Sequence, residues 1–102
     1  MLRQRLTVDD VLELLRRCMD PEVGLSIVDL GFVRSVDVQR DTVIVKITLG
    51  SRDCPLHFAI AHRVHALLSG MSGVERVEVE LVWDPPWTPK MMSPEAKNAL
   101  FY

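Results

Sequence analysis

The chain has 102 residues, 48% of them hydrophobic and 25% charged, with a formal net charge of −2; this is the composition of one globular domain with a modest core, spanning 1–102. Basic and acidic residues are mixed along the chain with no Lys/Arg block, which excludes a polyanion surface and therefore a nucleic-acid partner. No apolar run approaches the roughly 18 residues that span a bilayer, and the N-terminus lacks the apolar heart of a signal peptide. The expectations are no membrane partner and a cytoplasmic location.

In chain order, Thr7 opens a helix running to about Cys18. Its hydroxyl caps the first turn, Asp9 and Asp10 suit the positive end, and Arg16 and Arg17 suit the other. Asp20-Pro21-Glu22 breaks that helix, Gly24 marks a turn, and Ser26 to Gly31 is an ordered loop. Phe32 to Val38 reads as a strand with Phe32, Val36 and Val38 on one face, followed by a polar turn, Gln39-Arg40-Asp41. Thr42 to Leu49 alternates most clearly, and the two strands form a hairpin.

A second helix runs from Pro55 to about Ser69, and a third strand from Glu75 to Trp83. The segment from Asp84 to Pro89 is too proline-rich for regular structure. Ser93-Pro94-Glu95 then caps a short terminal helix reaching Leu100. The order α-β-β-α-β plus a tail helix predicts an α+β two-layer sandwich with a three-stranded mixed sheet. Both helices cover one face, and the second makes a right-handed crossover if the strands it joins run parallel.

The two cysteines differ. Cys18 falls on the apolar stripe Val8, Val11, Leu12, Leu15 and reads as a buried small hydrophobe. Cys54 follows the polar loop Gly50-Ser51-Arg52-Asp53 and precedes Pro55, a residue favoured at the first position of a helix. Cys54 therefore reads as an N-cap, where unpaired N–H groups and the helix dipole favour a thiolate; an ordinary small cap residue is the plain alternative. Two thiols per chain cannot hold a four-cysteine cluster or a structural zinc.

Four features in this order, Asp20-Pro21-Glu22, Asp29-Leu30-Gly31, Cys54-Pro55 and Pro85-Pro86-Trp87, form a set. Together they resemble the small iron–sulfur assembly family, the metal–sulfur cluster biosynthesis domain, over about residues 7 to 96. That family takes in SufT-type maturation factors, PaaD-type subunits of phenylacetate-degradation clusters and a domain fused ahead of Mrp-type ATPases. The resemblance implies a role in maturing iron–sulfur proteins, with Cys54 as the central, metal-binding residue. It places Asp20, Glu22, Asp29 and Ser51 with Cys54 in a functional cleft. The sequence departs from the family in the loop, where Gly50-Ser51-Arg52-Asp53 replaces a Thr-rich stretch ending Pro-Gly.

Each candidate also has a structural reading. Asp20 and Glu22 supply hard oxygen ligands for iron beside a thiolate, or simply end a helix. Asp29 accepts hydrogen bonds from loop N–H groups. His57 pairs with Cys54 as C-x-x-H and is a candidate metal contact, whereas His62 and His65 read as solvated. Pro86 and Trp87, with Met91 and Met92 exposed nearby, form either a lid over the core edge or a partner-binding anchor. The anchor reading expects Trp87→Ala to leave fold stability nearly unmoved.

Three functions follow. The first is an accessory factor in iron–sulfur cluster assembly, acting through Cys54 and binding client or carrier proteins. On this reading iron or a cluster is held transiently and shared between chains, as in a homodimer, and none is held permanently. The second is a non-catalytic, PaaD-like adaptor subunit of a multicomponent oxygenase or maturation complex. The third, a cysteine enzyme, is disfavoured because a nucleophilic cysteine needs an oriented base.

Overall fold

The computed structural model describes residues 6–21, 23–49 and 57–100, apart from the side chain of His57. Its elements are α1 (Val8–Leu15), β1 (Val33–Gln39), β2 (Thr42–Ile47), α2 (His57–Ser69), β3 (Arg76–Leu81) and α3 (Pro94–Leu100), with a single 3-10 turn at Pro89–Met91. The three strands lie in the order β1-β2-β3. β1 pairs antiparallel with β2, and β2 pairs parallel with β3 from Thr42↔Arg76 to Ile47↔Leu81. A parallel pair needs a long crossover, which α2 provides. α2 packs on β3, and α1 packs on both α2 and β1, giving the expected two-layer α+β arrangement.

Alternation explains the layers. Val43, Val45 and Ile47 of β2 are fully buried against Val11 and Leu15 of α1 and Val64 and Leu68 of α2. Lys46, Glu78 and Glu80 are exposed on the opposite, polar face. The α1 start is built as its sequence dictates: Thr7 Oγ1 accepts from the Asp10 N–H at 3.1 Å, and the Asp10 carboxylate accepts from the Thr7 N–H at 3.1 Å. This reciprocal box satisfies two otherwise orphaned donors. Ser93 Oγ likewise accepts from the Ala96 N–H at 3.1 Å to start α3. Among the described residues, no helix is long and apolar enough to cross a membrane.

Several expected boundaries shift. α1 ends at Leu15 rather than near Cys18, although Cys18 is buried as expected. β1 begins at Val33 and carries an irregularity between Val33 and Ser35, where Arg34 is the extra residue. A bulge resets which face a side chain takes, so Phe32 lies outside the strand and packs edge-on to Trp87. β2 and β3 end at Ile47 and Leu81, before Leu49 and Trp83. Met92, expected to be exposed, is 4% exposed and belongs to the core; Met91 is 36% exposed.

Candidate functional site

Cys54, Ser51, Glu22 and the His57 side chain lie outside the described residues; the surrounding frame is described. Leu49, just past β2, is buried, and α2 opens at His57. In sequence, Cys54 therefore falls between the C-terminal end of a central strand that is parallel to its neighbour and the start of α2. In parallel β-α-β units this end collects binding sites, since the strands stop there and the helix presents free N–H groups.

The Asp20 motif folds as a tight reversal. Met19 and Ser26 form an antiparallel bridge, and the Ile27 N–H donates to the Cys18 carbonyl at 2.9 Å. The Asp20 N–H donates to Leu25 O, and Asp20 O accepts from the Gly24 N–H, both at 2.8 Å. Asp20 Oδ1 accepts from the Val23 N–H at 3.4 Å. Gly24 takes φ +72°, a left-handed conformation that glycine adopts without steric cost. The turn-forming role of Asp20-Pro21 is thus realised, and the reversal packs beside the first half of α2.

Two of the four sequence motifs prove to be a single structural unit. Asp29-Leu30-Gly31 lies under the C-terminal arm and is fastened to it at each residue. The Ser93 N–H donates to Asp29 O at 2.7 Å. The Trp87 indole N–H donates to Leu30 O at 2.7 Å. Gly31 has φ +76°, and a Cβ there would lie 2.6 Å from the Met91 carbonyl carbon. Arg34, the bulge residue, donates to Pro85 O and anchors the start of the arm. The Trp87 and Phe32 rings meet edge to face, with centroids 5.5 Å apart and planes at 68°.

Trp87 is consequently half-buried and bonded rather than free-standing, so its loss is expected to lower stability instead of leaving it unmoved. Of the expected anchor, the exposed Pro86 and Met91 and the accessible part of Trp87 remain available to a partner. The Asp29 carboxylate also differs from expectation. It accepts from the Ser26 hydroxyl at 3.2 Å, while the Asp29 N–H donates back to Ser26 Oγ at 3.0 Å. Its role within the described residues is to close its own loop.

Cys18 feels charges from its own reversal and from α2. Burial pushes the Cys18 thiol above its ordinary value, the Asp20 carboxylate adds to the rise, and the Arg63 guanidinium opposes it. Between the reversal and α2 runs an open trough of about 430 Å³, with Met19 and Pro21 on one side and Ala59, Ile60, His62, Arg63 and Ala66 on the other. Arg63 was not singled out by sequence. The available signal was a helical stripe, Ala59-Arg63-Ala66, that breaks away from the apolar face.

His62 is exposed, as expected, and stands on the rim of this trough. His65 is exposed, with its Nδ1 3.4 Å from Ser69 Oγ. Among the described residues, no cluster of three or more His, Cys, Asp or Glu side chains could hold a metal ion. Any ligand set would therefore draw on the loop at 50–56, Glu22 or His57.

Comparison with known proteins agrees with this architecture. A solved domain of unknown function from Bacillus anthracis superposes with a TM-score of 0.87 at 35% identity, covering 91% of this chain and 90% of that one. The Fe-S protein maturation auxiliary factor YitW of Bacillus subtilis is 40% identical over 93 residues, which is 90% of this chain and 91% of the relative. The Fe-S protein maturation auxiliary factor SufT of Staphylococcus aureus is 43% identical over 83 residues, 80% of this chain and 94% of the relative. Residues 8–81, from the first residue of α1 to the last of β3, match the model of the iron-sulfur cluster assembly protein family. This chain belongs to that family.

Proposed function

We propose that this protein is an accessory factor in the maturation of iron–sulfur proteins and that Cys54 is the residue through which it acts. The observation that carries this reading is the family match over residues 8–81, joined to similarity along nearly the full length of a relative named as an Fe-S protein maturation auxiliary factor. The role is auxiliary rather than catalytic and belongs to the reducing cytoplasm, where a free thiolate persists.

The chemistry follows from where the loop enters α2. Cys54 precedes the 13-residue α2 by three positions in the sequence, and a thiolate near the positive end of a helix is favoured by its dipole and free N–H groups. It can take iron, the edge of a cluster or persulfide sulfur as cargo. Asp20 lies on the neighbouring reversal, and Glu22 follows two residues later. Both are carboxylates suited to iron, with His57 a further donor three residues after Cys54 in the sequence.

Cys18 is buried with a raised pKa, so it is a poor ligand and leaves one usable thiolate per chain. Four thiolates typically complete a cluster. The cargo must therefore be shared with a second protomer, a client or carrier protein, or a small thiol, and released readily. Anaerobic reconstitution with iron and sulfide followed by native mass spectrometry tests this. The expected species carry cluster only as dimers or thiol adducts and disappear in Cys54→Ser. A cluster retained by a thiol-free monomer through gel filtration would contradict the proposal.

A further inference from the structure

The trough between the Met19–Pro21 reversal and α2 is not used by the chemistry assigned to Cys54. Its floor and walls are apolar: Met19 is 45% exposed, Pro21 stands on the turn, and Ala59 and Ala66 leave the helix surface low enough for close approach. Among the described residues, the ionisable lining is Arg63 and His62, with no carboxylate. Arg63 is exposed; its charge lies close enough to Cys18 to bias that thiol. Apolar surface beside an exposed guanidinium offers a short peptide both packing and a charged partner.

We propose that this trough is a docking groove for a short acidic–apolar segment of a partner protein. Apolar side chains of the segment rest along Met19, Pro21, Ala59 and Ala66, while a carboxylate pairs with Arg63. A guanidinium binds a carboxylate through two parallel N–H donors, which sets register as well as adding attraction. A second copy of this chain is the poorer occupant: a two-fold pairing sets the same patch on both sides, so each Arg63 would face a lining whose described residues offer no carboxylate to pair with it. The groove runs beside the helix that follows Cys54, so a segment seated in it would hold its own protein near that loop. Binding itself depends only on the groove.

The test is selection of a random dodecamer peptide library on the intact chain, with Arg63→Glu and Ala66→Arg as parallel baits. Both positions are exposed, and circular dichroism checks that each variant folds. The expected result is enrichment of sequences pairing Asp or Glu with Leu, Ile or Phe. A synthetic peptide of the enriched sequence should shift the amide resonances of Met19, Ala59, Arg63 and Ala66. Affinity should fall at least tenfold on both variants and stay unchanged in Cys54→Ser. Absence of enrichment, enrichment of basic or uncharged sequences, or shifts confined to another face would overturn the proposal. So would sedimentation showing a dimer that Ala66→Arg dissociates, because the groove would then be covered by a second copy.

Discussion

Replacing Trp87 by alanine tests the clamp between the C-terminal arm and the Asp29-Leu30-Gly31 loop. A fully buried tryptophan reduced to alanine costs about 3–5 kcal/mol. Trp87 is half-buried, which scales that loss to roughly 2 kcal/mol. Leu30 is 3% exposed, and its carbonyl loses the 2.7 Å indole bond, adding about 1 kcal/mol. The edge-to-face contact with Phe32 is worth about 0.5–1.5 kcal/mol, part of which the burial figure already contains. The sum is roughly 3 kcal/mol, and at about 4–8 °C per kcal/mol for a domain of this size the Tm should fall by about 12–24 °C. Trp87→Phe keeps a ring against Phe32 but removes the N–H donor and part of the ring bulk, so its fall should exceed about 4 °C and stay below that of Trp87→Ala. Thermal unfolding followed by circular dichroism reads both. A fall below about 5 °C for Trp87→Ala would show that the arm is not docked in solution and would restore the free-anchor reading.

Two further outcomes check the frame. Gly31→Ala places a Cβ 2.6 Å from the Met91 carbonyl carbon at φ +76°; it should cost about 2 kcal/mol or more and lower the urea midpoint, and an unchanged midpoint would refute the close approach. Cys18 supplies a pH dependence. Its thiol is held protonated in the fold, whereas the unfolded thiol ionises near about 8.5. As pH rises through about 8.5 the unfolded chain loses a proton that the native chain keeps, so stability falls, by at most about 1.4 kcal/mol per pH unit. Urea unfolding at neutral and alkaline pH should show this slope in the wild type and lose it in Cys18→Ala; identical slopes would refute it. In the folded protein at neutral pH, iodoacetamide should label Cys54 before Cys18, which mass spectrometry reads directly.

Local rules made most of the fold legible. Strict alternation in β2 and β3, the Thr7 and Ser93 caps and the helical apolar stripe of α2 depend on neighbours a few residues away, and each is found, with both strands ending two residues early. The parallel pairing of β2 with β3 follows because a helix-length connection separates them. What escaped was long-range. The Trp87 indole finds Leu30 O across 57 positions of sequence, and Met92 is buried through the same closure. Nothing in a proline-rich stretch announces that it folds back onto a loop before β1. The Arg34 irregularity was hidden because one extra residue changes face parity without changing composition. At the site, the residue types and their order pointed to Cys54, Asp20 and Glu22. The Asp20 reversal was found beside α2, while Arg63 and the trough became visible only once those elements were packed together.

The most direct measurement is the specific activity of iron–sulfur enzymes in host cells lacking this gene, complemented by wild type, Cys54→Ser or Cys18→Ala at matched protein levels. The account predicts that wild type and Cys18→Ala restore activity and cluster content, while Cys54→Ser leaves client proteins abundant but cluster-poor. Full restoration by Cys54→Ser would contradict it, because the protein would then act as an adaptor whose cysteine carries no cargo.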